Sequence, residues 1–489
     1  MSTSLLPMLV DELREVVGVD GVLSAHADLV VYECDGFVIE KNSPDVVVFP
    51  RTALQVSEVV KLANKHRVPF VPRGAGTSLA GGCLPVGGGI MIVLTRMKAI
   101  EEINLRDRYA VVQPGVVNAW LNLALKGQGY HYAPDPSSQG ACTIGGNVAT
   151  NSGGPHTLKY GVTVNHVLGL EAVLPDGRIV QFGGPSDDPL GLDIVGTLVG
   201  SEGTLAIVTK VWVRLTRNPQ GVRTLLCIYD SVDDATNTIS EIIGAGIIPA
   251  ALEMMDEGIL VAVEHAFNMG FPLDAKAILL IEVDGLEVDL DRQRNRIIQI
   301  CNQCQAREVR QAKDAEDRLR LWKCRKQAFG AVGRLSPSYC TQDGVVPRTK
   351  LPHIFRRIME IGQRHGVRIV NVFHAGDGNL HPILLFDERD PNQIERALAA
   401  GGEILDECIA CGGSVTGEHG IGVEKIAFMH KMFTTEDLAA MERLRLAFNP
   451  EGRLSPCKML PSAGGCGMEH SGSSPSVIKQ KFPGRQAAL

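Results

Sequence analysis

Two glycine-rich segments, set well apart, constrain this chain more than any other feature. The first reads Pro72-Arg73-Gly74-Ala75-Gly76-Thr77-Ser78-Leu79-Ala80-Gly81-Gly82. The second runs from Ala133-Pro134-Asp135-Pro136-Ser137 through Thr143-Ile144-Gly145-Gly146-Asn147 to Asn151-Ser152-Gly153-Gly154. Glycine this dense, mixed with small hydroxyls, lets backbone N–H groups crowd around an anion. Two such segments in one region point to a long cofactor with more than one phosphate. A Rossmann loop would place its glycines between a strand and a helix. The Gly74/Gly76 loop follows a strand-like run, but Thr77 to Pro85 is not a helix start, and no Walker-type Gly-Lys-Ser/Thr occurs.

The chain has 489 residues, length for two large domains or roughly three ordinary ones. Apolar residues make up 45% of it, enough for a sizeable core. A net charge of −7, no basic run and few aromatics argue against a nucleic-acid partner. The N-terminus lacks a basic region followed by an apolar core, so we expect no signal peptide and a cytoplasmic location. No apolar run approaches the ~20 residues of a spanning helix. Twelve scattered cysteines are expected to be reduced thiols. Cys301/Cys304 and Cys408/Cys411 have Cys-x-x-Cys spacing within helix-like stretches, and a zinc or redox role is not favoured for either. No clustered cysteine run of an iron–sulfur site is present.

Residues 1–40 read as a helical lead-in. Val46 to Phe49, Pro69 to Pro72, Ile90 to Leu94, Ala110 to Gly115 and Val208 to Leu215 read as strands, and Thr52 to Lys65 as a helix. Gly169 to Val180 reads as a hairpin with Asp176-Gly177 at its tip. Arg217 to Gly221 marks a domain boundary. Beyond it, Thr224 to Tyr229 and Ala277 to Asp284 read as strands, and Val232 to Gly244 as a helix. The charged stretch Asp289 to Arg320 reads as helical. Arg368 to His374 and Leu380 to Phe386 read as strands joined by a Gly-Asp-Gly turn. The polar stretch 461–489 is expected to be disordered.

Residues 45–215 resemble the FAD-binding domain of the vanillyl-alcohol oxidase / p-cresol methylhydroxylase family. Arg73 to Ser78 looks like that family's pyrophosphate loop. Pro134 to Ser138 with Thr143 to Asn147 looks like its flavin-facing segment. Lys159-Tyr160-Gly161 and Gly200-Ser201-Glu202-Gly203 match further cofactor-side motifs. The second half resembles the family's C-terminal oxidase domain through His374-Ala375-Gly376-Asp377-Gly378-Asn379-Leu380-His381, Gly417-Glu418-His419-Gly420 and Asn449-Pro450. Leu321 to Phe329 is similar to the glycolate oxidase branch, which stands beside D-lactate and D-2-hydroxyglutarate dehydrogenases.

The resemblance implies an α+β fold. Residues 41–217 would form a p-cresol methylhydroxylase-type two-subdomain FAD-binding domain. Residues 218–460 would form an α+β FAD-linked oxidase C-terminal (cap, or substrate) domain whose end returns to the flavin domain. It implies FAD contacts from Pro72 to Ser78, Gly81, Gly82, Pro134 to Ser137, Thr143 to Asn147, Asn151 to Gly153, Gly161, Glu202, Gly203, Ile207 and Asn449. It also implies oxidation of a short 2-hydroxy acid, with electrons passed to a second flavin subunit and an iron–sulfur subunit near the inner membrane. Attachment of the FAD is expected to be non-covalent: the Arg73–Gly82 loop holds no His, and the offset of Cys142 from Gly145-Gly146 does not fit a cysteinyl linkage.

The second half carries candidate chemistry of its own. A hairpin can bring His374 and His381 to one side, and Glu418 can add a carboxylate. Two histidines and one carboxylate suit a zinc, manganese or iron ion with open positions. Asp377 reads as a turn residue. His419 is a natural base for a hydroxyl proton near neutral pH. Arg325 is the candidate carboxylate clamp, since a guanidinium binds carboxylate bidentately and the family places a substrate arginine in this motif; its bland alternative is a solvated helix face. Hydroxyglutarate-type relatives hold the distal part of their substrate with a lysine and a threonine. The nearest positions here are Phe329 and Thr341, which argues for glycolate or D-lactate. The rival readings are a flavin-binding electron-transfer subunit without catalysis, a hydroxyglutarate-type dehydrogenase, and a flavoenzyme of another reaction.

Overall fold

The computed structural model of the protein describes residues 5–186 and 191–461. The tail beyond residue 461, expected to be disordered, lies outside the described residues. The chain divides into two compact units, Met1–Asn218 with Glu418–Cys466, and Pro219–Gly417.

The first unit contains two main sheets. In the four-stranded one, Val46–Val48 and Phe70–Arg73 flank Ile90–Val93, both parallel to it. Parallel strands buried on both faces become continuous apolar runs, and Val46, Val47, Val48, Ile90, Met91 and Ile92 are fully buried. The helix Ala53–His66 connects two of these strands. Thr52 caps it by accepting from the Gln55 amide at 3.2 Å, and Val56, Val59, Val60 and Ala63 form its buried face. The lead-in is less helical than expected. The helix Leu5–Val17 ends at Gly18 (φ 84), and Val22–Leu23 then adds an antiparallel edge strand beside Val47 and Val48. The last described stretch seals the other edge, where Leu454 forms a parallel bridge with Phe70.

The second sheet has the spatial order Ile100–Asn104, Tyr109–Val112, Ile207–Arg214, Val167–Val173, Ile179–Gly183, antiparallel throughout. Ile207–Arg214 alternates between buried and half-buried positions, the period of a one-sided strand.

The second unit is built on one eight-stranded sheet. Its path is Glu308–Gln311, Gly221–Tyr229, Ala277–Gly285, Ala251–Asp256, Arg368–His374, Asn379–Phe386, Ser338–Thr341, and Gly344–Val345 also pairs with Asn379–Phe386. One face packs against the helices Glu257–Phe267, Ala315–Lys326 and Ala328–Val332 around Met255, Val263, Trp322 and Val372. The stretch 289–320 is not the helical segment expected. A helix, Glu287–Gln303, ends before Gln305 adopts φ 61. Glu308–Gln311 then pairs with Leu225–Ile228 as an edge strand, and Asp314 caps a new helix. An edge strand half exposed to water keeps charged residues, so its composition hides it.

Among the described residues ten cysteines are free thiols and Cys457 is disulfide-bonded, against the expectation of reduced thiols throughout. Each Cys-x-x-Cys pair splits between a buried first member and a half-exposed second. Cys301 faces Cys227, with the sulfurs 3.6 Å apart, instead of Cys304.

Candidate functional site

The first unit folds its two glycine segments onto each other. A Cβ on Gly74 would lie 2.6 Å from Thr143 Oγ1, and Gly146 is in contact at 3.7 Å. Gly76 and Gly81 take left-handed conformations (φ 71 and 72) that favour glycine. A Cβ on Gly76 would strike the Arg73 guanidinium, and one on Gly81 would meet Val423 at 2.5 Å. The result is a backbone-lined cradle of the kind a pyrophosphate needs. Thr143 caps the short helix Ile144–Thr150 through the Gly146 amide (3.3 Å), while the Gly145 amide donates to Pro114 (2.8 Å).

Several expected cofactor residues hold this cradle in shape through their side chains. Arg73 is turned inward, donating to the Cys34 carbonyl (2.9 Å) and the Cys83 sulfur (3.2 Å). Asp135 pairs with His156 Nδ1 at 3.0 Å. Asn151, at φ 51, ends its helix and accepts from the Val164 amide (2.8 Å). Thr163 Oγ1 donates to the Ser152 carbonyl at 2.7 Å. The Glu202 carboxylate accepts from the Ile421 and Gly422 amides, both at 2.7 Å, and burial raises its pKa. The Asn449 amide donates to the carbonyls of Thr204 (3.3 Å) and Leu454 (2.8 Å), and Ile207 lies in the apolar core. Gly203 (φ 67) packs against Pro72, and Gly161 (φ 84) against Asn165.

Glu418 and His419 belong to this first unit and stand at the cradle. Ser78 Oγ donates to the His419 carbonyl at 3.5 Å. Glu418 Oε2 lies 3.3 Å from where a Cβ on Gly153 would be, and Glu418 Oε1 is 3.8 Å from His419 Nε2. The Glu418–His419 dipeptide therefore touches both glycine segments.

The second unit gathers the remaining candidates. The Arg368–His374 and Asn379–Phe386 strands are antiparallel, with His374 opposite Asn379 and His381 opposite Val372. That register puts both imidazoles diagonally on one face; their ring centroids are 5.1 Å apart and the rings perpendicular. Asp377 serves the turn, accepting from the Asn379 amide at 3.1 Å. The strand Ala251–Asp256 runs beside Arg368–His374 and brings Glu253 to His374: both carboxylate oxygens lie 2.9 Å from His374 Nδ1. Arg325 forms an ion pair with the same carboxylate. It is fully buried, so the solvated-face alternative fails. Leu321, Trp322 and Arg325 share the inward face of their helix by i, i+3/i+4 spacing. Arg325 Nε and Nη1 are buried without a hydrogen-bond partner among the described residues.

His381 Nδ1 lies 3.4 Å from the Gln342 carbonyl and 3.9 Å from Asp343 Oδ1. Phe329 meets the His381 ring edge-on at 6.0 Å. Asp343 is fully buried, and its Oδ2 accepts from Thr416 Oγ1 (2.7 Å) and the Gly417 amide (2.9 Å). It thus fixes the two residues that precede Glu418.

Sequence reasoning missed Glu253, Asp343, Asp35 and Lys458. Glu253 had a signal: a lone carboxylate inside the apolar run Ala250 to Met255 must be partnered if buried. Lys458 donates to the Gly82 carbonyl (2.8 Å) and the Leu84 carbonyl, and burial lowers its pKa to about 8. Burial raises Asp35 to about 6 and Cys83 to about 11.

Comparison with known proteins accords with both units. The family model described as "FAD binding domain" matches residues 44–183, and "FAD linked oxidases, C-terminal domain" matches residues 218–459. The chain is 44% identical to glycolate oxidase subunit GlcD of Escherichia coli, over 93% of this chain and 91% of that one. It is 31% identical to a D-lactate dehydrogenase of Archaeoglobus fulgidus, over 85% and 91%. The crystal structure of p-cresol methylhydroxylase with substrate bound shares the fold at a TM-score of 0.81, with 17% identity over 94% of this chain and 97% of that one.

Proposed function

The chain belongs to the FAD-linked oxidases, and from that premise we propose that it oxidises a short 2-hydroxy acid, glycolate or D-lactate, to the 2-oxo acid. That it is an FAD-linked oxidoreductase follows from the family itself. The finer reading rests on one observation above all: the buried Arg325 guanidinium keeps two donor nitrogens without partners among the described residues, on the helix beside a two-histidine face. A buried cation with spare donors suits a substrate carboxylate.

The residues fit both groups the reading requires. The two glycine segments, packed too closely for Cβ atoms at Gly74, Gly76 or Gly81, suit the FAD pyrophosphate through their backbone N–H groups. When bound, FAD supplies the hydride acceptor at its N5. Adjacent imidazoles, one held by a carboxylate, suit a metal, and we propose that His374, His381 and Glu418 hold a zinc, manganese or iron ion. When bound, that ion supplies Lewis acidity toward the substrate hydroxyl. Arg325 grips the substrate carboxylate and sets which face of C2 is presented. His419 takes the hydroxyl proton. Phe329, edge-on to His381, stands nearest the position where hydroxyglutarate-type relatives carry a lysine, which favours the short substrate over 2-hydroxyglutarate.

Electrons then pass to partner subunits, a second flavin subunit and an iron–sulfur subunit, at the membrane surface. No helix among the described residues is long and apolar enough to cross a membrane. The test is anaerobic bleaching of the bound flavin by a panel of 2-hydroxy acids. Glycolate or D-lactate should bleach it fastest; faster bleaching by D-2-hydroxyglutarate, or none by any, overturns the reading. Peroxide production by the isolated chain should be slow beside dye-coupled turnover, and equal rates would remove the need for partners.

A further inference from the structure

We propose that Glu253 is the positioning residue that aligns the two halves of substrate capture, the His374 imidazole and the Arg325 guanidinium. The inference deepens the reading above and rests on it. Glu253 is almost wholly buried, on the strand next to His374, and it touches both groups at once.

The chemistry of the contacts fixes the roles. A carboxylate only accepts hydrogen bonds, so a nitrogen 2.9 Å from both its oxygens must carry the proton. His374 therefore holds its proton on Nδ1 and its lone pair on Nε2, the atom then available as a metal ligand. A ligand histidine whose other nitrogen donates to a carboxylate has its ring orientation fixed and its basicity raised. The same carboxylate pairs with Arg325 Nη2, which lies 3.4 Å from His374 Nδ1, so two donors share one acceptor. Engaging Nη2 on the Glu253 side sets the plane of the guanidinium and leaves Nε and Nη1 as its remaining donors. One carboxylate thus sets the tautomer of a metal ligand and the attitude of the anion clamp.

The experiment compares the FAD-loaded protein with Glu253→Gln, Glu253→Asp, His381→Ala and Glu403→Gln. Glu403, in contact with His365 near the surface of the same unit, is the control carboxylate–histidine pair. Each protein is stripped of metal and titrated with zinc against a competing chelator, and KM and kcat are measured for glycolate and D-lactate. We expect Glu253→Gln to keep its FAD and weaken zinc by about 10–100-fold, with a raised KM. Glu253→Asp keeps the charge one methylene short and should fall between; it also serves if the glutamine variant does not fold. Glu403→Gln should match the parent. If the parent binds zinc, His381→Ala loses it, and both Glu253 variants keep the parent's zinc Kd and KM, the inference is overturned and the metal reading stands. If the parent takes up no zinc, the metal reading falls, and the inference falls with it.

Discussion

At the residue scale, the proposed site divides labour between groups that would bind and one group, His419, that would move a proton. His419→Ala should keep FAD and metal but slow flavin reduction by roughly 10²–10⁴-fold, the usual worth of a positioned base. His381→Ala should lose the metal, and chelator treatment of the parent should mimic it. Stopped-flow traces with metal analysis on each variant check this; parent-rate reduction by His419→Ala would remove it as the base. Asp35 gives a prediction about stability. Burial raises its folded-state pKa to about 6 from 3.8, so the fold disfavours its charged form. Its stabilising contribution is full below about pH 4 and is lost as pH rises through 6, a change on the order of 3 kcal/mol. Asparagine can still accept from the Phe37 amide. Asp35→Asn should therefore match the parent near pH 4 and exceed it at pH 7 in urea midpoint; an equal midpoint at pH 7 would mean the carboxylate is not buried in this way. Not every residue of the site was legible from sequence. His374, His381, Glu418 and His419 stand in glycine-rich, polar segments where their chemistry shows. Glu253 lies inside an apolar run and Asp343 in the short link between the strands Ser338–Thr341 and Gly344–Val345, and their roles depend on neighbours far along the chain.

At the element scale, legibility followed burial. Strands covered on both faces, such as Val46–Val48 and the first part of Ala277–Gly285, Ala277 to Ile281, have apolar runs that single them out. The edge strand Glu308–Gln311 has a half-charged composition and was absorbed into a helix. Arg325 misleads for the opposite reason: its helix is so rich in charge that its inward face, Leu321, Trp322 and Arg325, is hard to see. The turn between the two histidine strands also carries a prediction. Gly378 has φ 84, and a Cβ there would lie 2.1 Å from the Val346 carbonyl. Gly378→Ala should cost about 1–3 kcal/mol in backbone strain alone and disturb the spacing of the histidines. The expected outcome is a lowered Tm together with weakened metal uptake; a parent-like Tm would show that the turn absorbs the methyl group.

At the scale of the whole molecule, the second unit is an insertion. The chain leaves the first unit at Asn218 and re-enters it at Glu418. The returning stretch is structural: Leu454 bridges Phe70, Lys458 holds Gly82, and Ile421 and Gly422 satisfy Glu202. A chain ending at residue 417 should therefore fail to retain FAD, as read by flavin absorbance after gel filtration; a yellow, cooperatively unfolding product would contradict it. The full-length protein should release its flavin into the supernatant on acid precipitation, since Cys142 is buried and its thiol is pushed up by burial, away from the reactive thiolate. The same return has a consequence for synthesis. On the ribosome, the residues that begin the cofactor cradle emerge first and those that close it emerge last. Between Asn218 and Glu418 the whole second unit must be translated, which takes about 10–40 s at 5–20 residues per second. For that interval the nascent cradle has an open edge, so a pause or stall in the insertion exposes an unfinished sheet to chaperones and proteases before any flavin can secure it.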